Sequence, residues 1–184
     1  MIKQNMLKKI STFDAVFITL MAACGLALKP IVGPFFKLIG SALLIPSGSL
    51  AGAIYMIWPM LALLTVQQTG TATFVGLLQG IIVLVTGIFG SHGVLSLITY
   101  TIPGVMIDIV YLLIHRINNK WLMSLPAAMG NVSGTFIVGI VFMHIPFILL
   151  IIGLIPAFIF GAIGGYLSLI LYKWLVQTFP ILKK

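Results

Sequence analysis

Acidic side chains are almost missing from this chain: of 184 residues, two are carboxylic acids, Asp14 and Asp108. Charge of either sign is scarce, at 7% of residues against about 25% in ordinary soluble domains. The single cysteine, Cys24, excludes an intramolecular disulfide and any multi-cysteine metal site. So few carboxylates cannot form the cluster that holds magnesium for phosphate chemistry. No HExxH zinc motif, no GxSxG nucleophile elbow and no GxxxxGKS/T phosphate loop occurs. Ser133 and His144 share one apolar segment and stand roughly 16 Å apart at helical rise, so they cannot act as a nucleophile–base pair. An intramembrane enzyme is therefore the last of three readings. Any uphill work must draw its energy from a partner or an ion gradient.

Apolar residues make up 61% of the chain. A soluble fold of this size leaves a large fraction of its area in water and could not hide that much apolar surface. The apolar runs are long enough to cross a bilayer. They are continuous rather than alternating, which argues against a transmembrane β-barrel. The expected fold class is an all-α integral membrane protein, a single domain over residues 1–184 built as a compact bundle of six transmembrane helices. The expected spans are 12–29, 49–66, 71–89, 94–114, 122–144 and 149–175. The first runs into a proline-rich connection with no cleavage site and is read as a span rather than a leader. That connection, residues 30–48, is apolar but broken by Pro30, Gly33, Pro34, Gly40, Pro46 and Gly48, and is expected to be an extracellular lid-like loop.

The basic residues orient the bundle. With the N-terminus inside, Lys3, Lys8, Lys9, Arg116, Lys120, Lys173, Lys183 and Lys184 fall on the inner side, and only Lys29 and Lys37 on the outer. This bias places both termini in the cytoplasm. Trp121 and Trp174 sit at the expected inner interfaces, where indoles favour the headgroup region. The net charge of +8 thus belongs to membrane topology and not to nucleic-acid binding.

Small residues recur at helical spacing. Gly76 and Gly80, Gly130 and Gly134, and the series Gly153, Ala157, Gly161 and Gly165 suit close packing within the bundle. The stripe Ala15, Thr19, Ala23 and Ala27 on the first span either packs internally or faces another subunit. Pro59 and Pro103 should kink their helices, and the freed carbonyls either line a cavity or are re-satisfied locally. Asp108 is costly inside a bilayer, about 2.5–3.5 kcal/mol, so a structural role, a ligand contact and a coupling role all stand open. Gln79 and Asn131 either bind a polar heterocycle or hydrogen-bond across helices. His92, Tyr100, Thr135 and His144 cluster toward the expected outer side, and Trp58 lies beside the Pro59 kink. These eight residues, Trp58, Gln79, His92, Tyr100, Asp108, Asn131, Thr135 and His144, are the candidate ligand contacts. Two histidines without a nearby carboxylate make a poor metal site, so none is expected.

Six short spans, the small-residue stripe on the first, the Pro/Gly-broken connection after it, Gly104 followed by Asp108, and Ser124-Leu125-Pro126 after a basic inner loop make a pattern. It resembles the substrate-binding S component of energy-coupling-factor (ECF) vitamin transporters, and most nearly the thiamin/hydroxymethylpyrimidine branch. Where that branch places carboxylates on its third span, this chain has Gln79. The resemblance implies capture of a small vitamin-like ligand from outside, in a pocket walled by the fourth, fifth and sixth spans. It also implies a membrane-embedded coupling subunit docked on Ala15, Thr19, Ala23 and Ala27, with two ATPase subunits hydrolysing ATP and no cofactor held by this chain. The cell membrane is the implied location. A self-sufficient proton-coupled carrier or channel using Asp108 is the competing reading.

Overall fold

Backbone polar groups in lipid must be satisfied within the chain, and continuous apolar runs do this as helices. The structure, a computed structural model, describes residues 10–43, 45–87, 93–115, 117, 121–179 and 182, and every regular element among them is helical. His92 and the basic residues Lys3, Lys8, Lys9, Arg116, Lys120, Lys183 and Lys184 lie outside the described residues. Eight α-helices follow in order: α1 (Thr12–Ala27), α2 (Lys29–Leu43), α3 (Ser47–Tyr55), α4 (Ile57–Val66), α5 (Thr71–Thr86), α6 (Ser96–Ile114), α7 (Leu125–Val141) and α8 (Phe147–Thr178).

Each of the six expected spans has a helical counterpart, with instructive differences. Four stretches are long and apolar enough to cross a membrane: Ser47–Val66, Gly93–Ile114, Leu122–Val141 and Phe147–Thr178. A fifth arises if α1 and α2, bent by 46° at their junction, count as one broken span. Helix α5 is apolar but has 16 residues, about 24 Å of rise, which is short of a hydrocarbon core. The second span divides at Met56 into α3 and α4. Pro59 lacks the N–H that would bond the Tyr55 carbonyl, which is the physical cause of a break one turn earlier.

The segment 30–48 is where the expectation of a loop fails. Residues 29–43 form α2. Pro30 lies in the first turn, where no amide donor is needed, so it starts the helix instead of breaking it. Pro34 is accommodated inside the helix at the loss of one backbone bond.

Helix α4 is the axis of the bundle. Every residue from Pro59 to Val66 is buried. One buried cluster joins Met60, Leu63 and Leu64 to Ile107 and Tyr111 of α6 and Ala127 of α7. A second joins Leu61, Ala62 and Val66 to Ile18, Met21 and Ala22 of α1. A helix apolar on all sides belongs at such a centre.

Glycines bring the outer helices to backbone contact. A β-carbon at Gly161 would lie 2.8 Å from the Ala127 carbonyl oxygen and 2.8 Å from the Ala128 Cα. One at Gly164 would lie 2.7 Å from the Gly52 carbonyl oxygen, and one at Gly80 3.0 Å from the Leu97 Cα. The stripes on α5, α7 and α8 therefore serve internal packing. The stripe on α1 does not: Ala15, Thr19, Ala23 and Ala27 are all exposed, while Asp14, Ile18, Met21, Ala22, Gly25 and Leu26 face inward.

Candidate ligand cavity

The kinked and broken helices enclose a cavity of about 760 Å³. That is within the range of small-molecule sites, roughly 300–1,000 Å³. Helix α2 roofs it with Lys29, Pro30, Gly33, Pro34 and Lys37. Their spacing of one and two turns marks one helix face. The opposite face carries Ile31, Phe35 and Leu38, all highly exposed. The helix thus turns its apolar side outward and its charges toward the cavity. Gly33 lies over Tyr55, whose hydroxyl would be at an ordinary contact distance of 3.5 Å from a β-carbon there.

The walls come from Tyr55 and Met56 at the α3–α4 break, from Gly76 and Gln79 of α5, from Thr99, Tyr100, Pro103 and Gly104 of α6, and from Asn131, Gly134, Thr135 and Val138 of α7. Phe142 and Met143 add to the lining, as do Gly25, Pro46, Ser47, Gly48, Pro59 and Ala72. None of the lining residues belongs to α8, which packs behind α3 and α7 instead of forming the expected wall.

Four of the eight candidate contacts line this cavity: Gln79, Tyr100, Asn131 and Thr135. The amides also hold the bundle. Asn131 Nδ2 donates to the Ser49 carbonyl at 2.9 Å and to the Ala157 carbonyl at 2.8 Å, tying α7 to α3 and α8. Gln79 Nε2 donates to the Ala22 carbonyl at 3.3 Å, tying α5 to α1. Thr135 differs, because its Oγ1 is buried and has no hydrogen-bond partner. A hydroxyl enclosed in that way is costly unless something in the cavity engages it.

The other four lie elsewhere. Trp58 is half-buried beside Gly25, its Nε1 enclosed and unpartnered, and it is not among the lining residues. His144 is exposed in the turn after α7 at φ 46°, a left-handed position that histidine adopts more readily than most residues. Asp108 is buried against the start of α5. Its Oδ2 accepts from the Thr73 N–H at 2.8 Å and the Thr73 hydroxyl at 2.6 Å, and its Oδ1 accepts from the Ala72 N–H at 3.4 Å. It satisfies amides that a helix N-terminus otherwise leaves open and sits where the helix dipole favours a negative charge. Its carboxylate does not line the cavity. His92 lies outside the described residues.

Sequence reasoning placed Lys29 and Lys37 on the outer side without counting them as ligand contacts, and it missed Tyr55. Lys29 Nζ stands 3.7 Å from the centroid of the Tyr100 ring and 5.1 Å from that of Tyr55. The signal was the four-residue spacing of Lys29, Gly33 and Lys37, legible only once the segment is taken as a helix. Among the described residues no group of three or more His, Cys, Asp or Glu gathers, and the cavity lining contains none of these residue types.

A family model described as "ABC-type cobalt transport system, permease component" matches residues 13–135, which carry α1 through most of α7. A solved structure described as "Crystal structure of an S-component of ECF transporter" aligns with a TM-score of 0.76 over 94% of this chain and 88% of that one. The two are 15% identical, so the likeness is one of fold. No curated protein matches the chain.

Proposed function

Because the chain belongs to the family of ABC-type cobalt transport system permease components, we propose that it is the substrate-capture subunit of an ECF-type transporter in the bacterial plasma membrane. That family and the fold are those of transporter components and not of enzymes. The long apolar helices make the chain a multi-pass membrane protein. The observation that carries the proposal is the cavity roofed by α2, large enough for one small ligand and lined by aromatic rings, amides and a free hydroxyl.

In this reading α5 counts as a short span, which brings the number to six, and both termini lie in the cytoplasm. The cavity then opens outward and α2 is its lid. The ligand is a small heterocyclic vitamin or precursor of the thiamin and hydroxymethylpyrimidine kind, handled by Tyr100, Thr135, Asn131 and Gln79. The α1 stripe docks a membrane-embedded coupling subunit, and two ATPases bound to that subunit hydrolyse ATP. This chain holds no cofactor of its own.

The family description names cobalt as a cargo. The lining offers no imidazole, thiolate or carboxylate to hold such a cation, so an organic ligand fits its chemistry better. A carrier driven by protons through Asp108 is the weaker alternative, since that carboxylate is already engaged by α5.

The test is purification from the native membrane with native mass spectrometry, on wild type and on Ala23→Trp. Wild type should carry a coupling subunit and two ATPases. The tryptophan variant should lose them while still binding ligand, because the bulky ring blocks the close approach small residues allow. A variant that keeps its partners at normal yield removes α1 as the docking face. A wild-type homodimer without partners overturns the proposal.

A further inference from the structure

Two ammonium groups face the cavity, and no carboxylate does. Lys29 lies at the start of α2 with its Nζ against the Tyr100 and Tyr55 rings, and Lys37 follows two turns later at the mouth. The chain has only two acidic side chains that could balance them. Asp14 is buried at the far end of α1, where it accepts the Ser11 N–H at 3.2 Å in a capping box. Asp108 is held by Ala72 and Thr73. The other polar side chains of the lining, among them Gln79, Thr99 and Asn131, are neutral.

Aromatic faces attract an ammonium only weakly compared with the water it gives up. Lys29 therefore lacks a strong partner, and Thr135, which lines the same cavity, has a buried hydroxyl with no hydrogen-bond partner. The orientation of α2 makes the same point. The lysines lie on the cavity side of α2 under an apolar outer face, an arrangement that favours a negatively charged occupant.

We propose that the cavity binds an oxyanion: its ligand is a small aromatic or heterocyclic molecule bearing a carboxylate or phosphate ester, with Lys29 as counter-ion and Thr135 as hydroxyl donor. Tyr55, Tyr100 and Phe142 supply flat apolar surface for the ring. This rests on the capture-subunit reading and revises its ligand, selecting acid-bearing members of the vitamin-like class over the cation thiamin and uncharged hydroxymethylpyrimidine.

The experiment is a binding titration of the full-length protein in lipid nanodiscs with matched probes. The pairs are nicotinate with nicotinamide, and hydroxymethylpyrimidine phosphate with hydroxymethylpyrimidine. Thiamin serves as the cationic probe. In at least one pair the acid should bind about tenfold or more tighter than its neutral partner, as expected for a charge-assisted contact. Lys29→Gln should weaken the acid roughly a hundredfold and spare the neutral partner, while Lys29→Arg keeps most of the preference. Thiamin or the neutral probes binding as tightly as the acids overturns the inference, as does a wild-type protein that binds neither acid. Neither result touches the capture-subunit reading, which stands or falls on the co-purifying coupling subunit.

Discussion

At Asp108 the cost of a carboxylate in the membrane is met by the backbone. Three bonds from the first turn of α5 converge on it, and those amides would otherwise face an apolar neighbourhood. Asp108→Ala should therefore lower stability by about 1.5–3 kcal/mol, the range for hydrogen bonds to a charged group. Thermal unfolding in detergent checks this, with ligand affinity of the remaining folded protein close to wild type. Unchanged stability with lost uptake would instead make Asp108 a coupling residue. Of the two roles the sequence left open for Asn131, the structure shows the cross-helix hydrogen bond: its side-chain amide bridges α3 and α8, and the residue also lines the cavity. The amide type was readable in the sequence. Its partners were not, because Ser49 and Ala157 are distant in the chain and meet it only after packing.

Among the helices, α2 shows how local rules mislead when taken one residue at a time. Proline and glycine argued for a loop, yet Pro30 occupies a first turn, Gly33 faces Tyr55 and Gly40 packs against Ile45 and Ser47 just after the helix. The amphipathic period of Lys29, Gly33 and Lys37 against Ile31, Phe35 and Leu38 was the stronger signal. It was obscured because the apolar face is the exposed one and the lysines lie on the cavity side, the reverse of a soluble helix. The pairing of α7 with α8 behaves as the glycine spacing foretold. Gly161→Ala should destabilise the protein by about 1–3 kcal/mol, since its new methyl would press on the Ala127 and Ala128 backbone. Gly48→Ala, where nothing lies within 4 Å, should leave the unfolding temperature nearly unchanged. Equal effects at the two sites would mean that α7 and α8 do not pack through Gly161.

Across the whole molecule, two opposed turns report its orientation. In the six-span arrangement Thr69, between α4 and α5, faces the cytoplasm, and Met143, after α7, faces outward beside the cavity. In a Cys24→Ser background, Met143→Cys should react with an impermeant maleimide on intact cells. Thr69→Cys should react only after permeabilisation. Labelling of both from outside, or the reverse pattern, would overturn the topology. The result also bears on α5, which is short for a membrane span but packs Gly76 and Gly80 against α6.

The sequence alone established that this chain is a helical membrane protein, that it carries no ATPase or protease motif, and, apart from α2 and the break at Met56, where its helices lie to within a few residues. Those properties depend on what each residue prefers as a solvent and as a neighbour one turn away. The small-residue stripes also indicated close packing, since a missing side chain is visible in any sequence. Only the tertiary structure decided which stripe stayed exposed, that Asp108 caps α5, and that Lys29 stands between two tyrosine rings over a cavity. Each of these depends on residues tens of positions apart, which meet only once the helices pack.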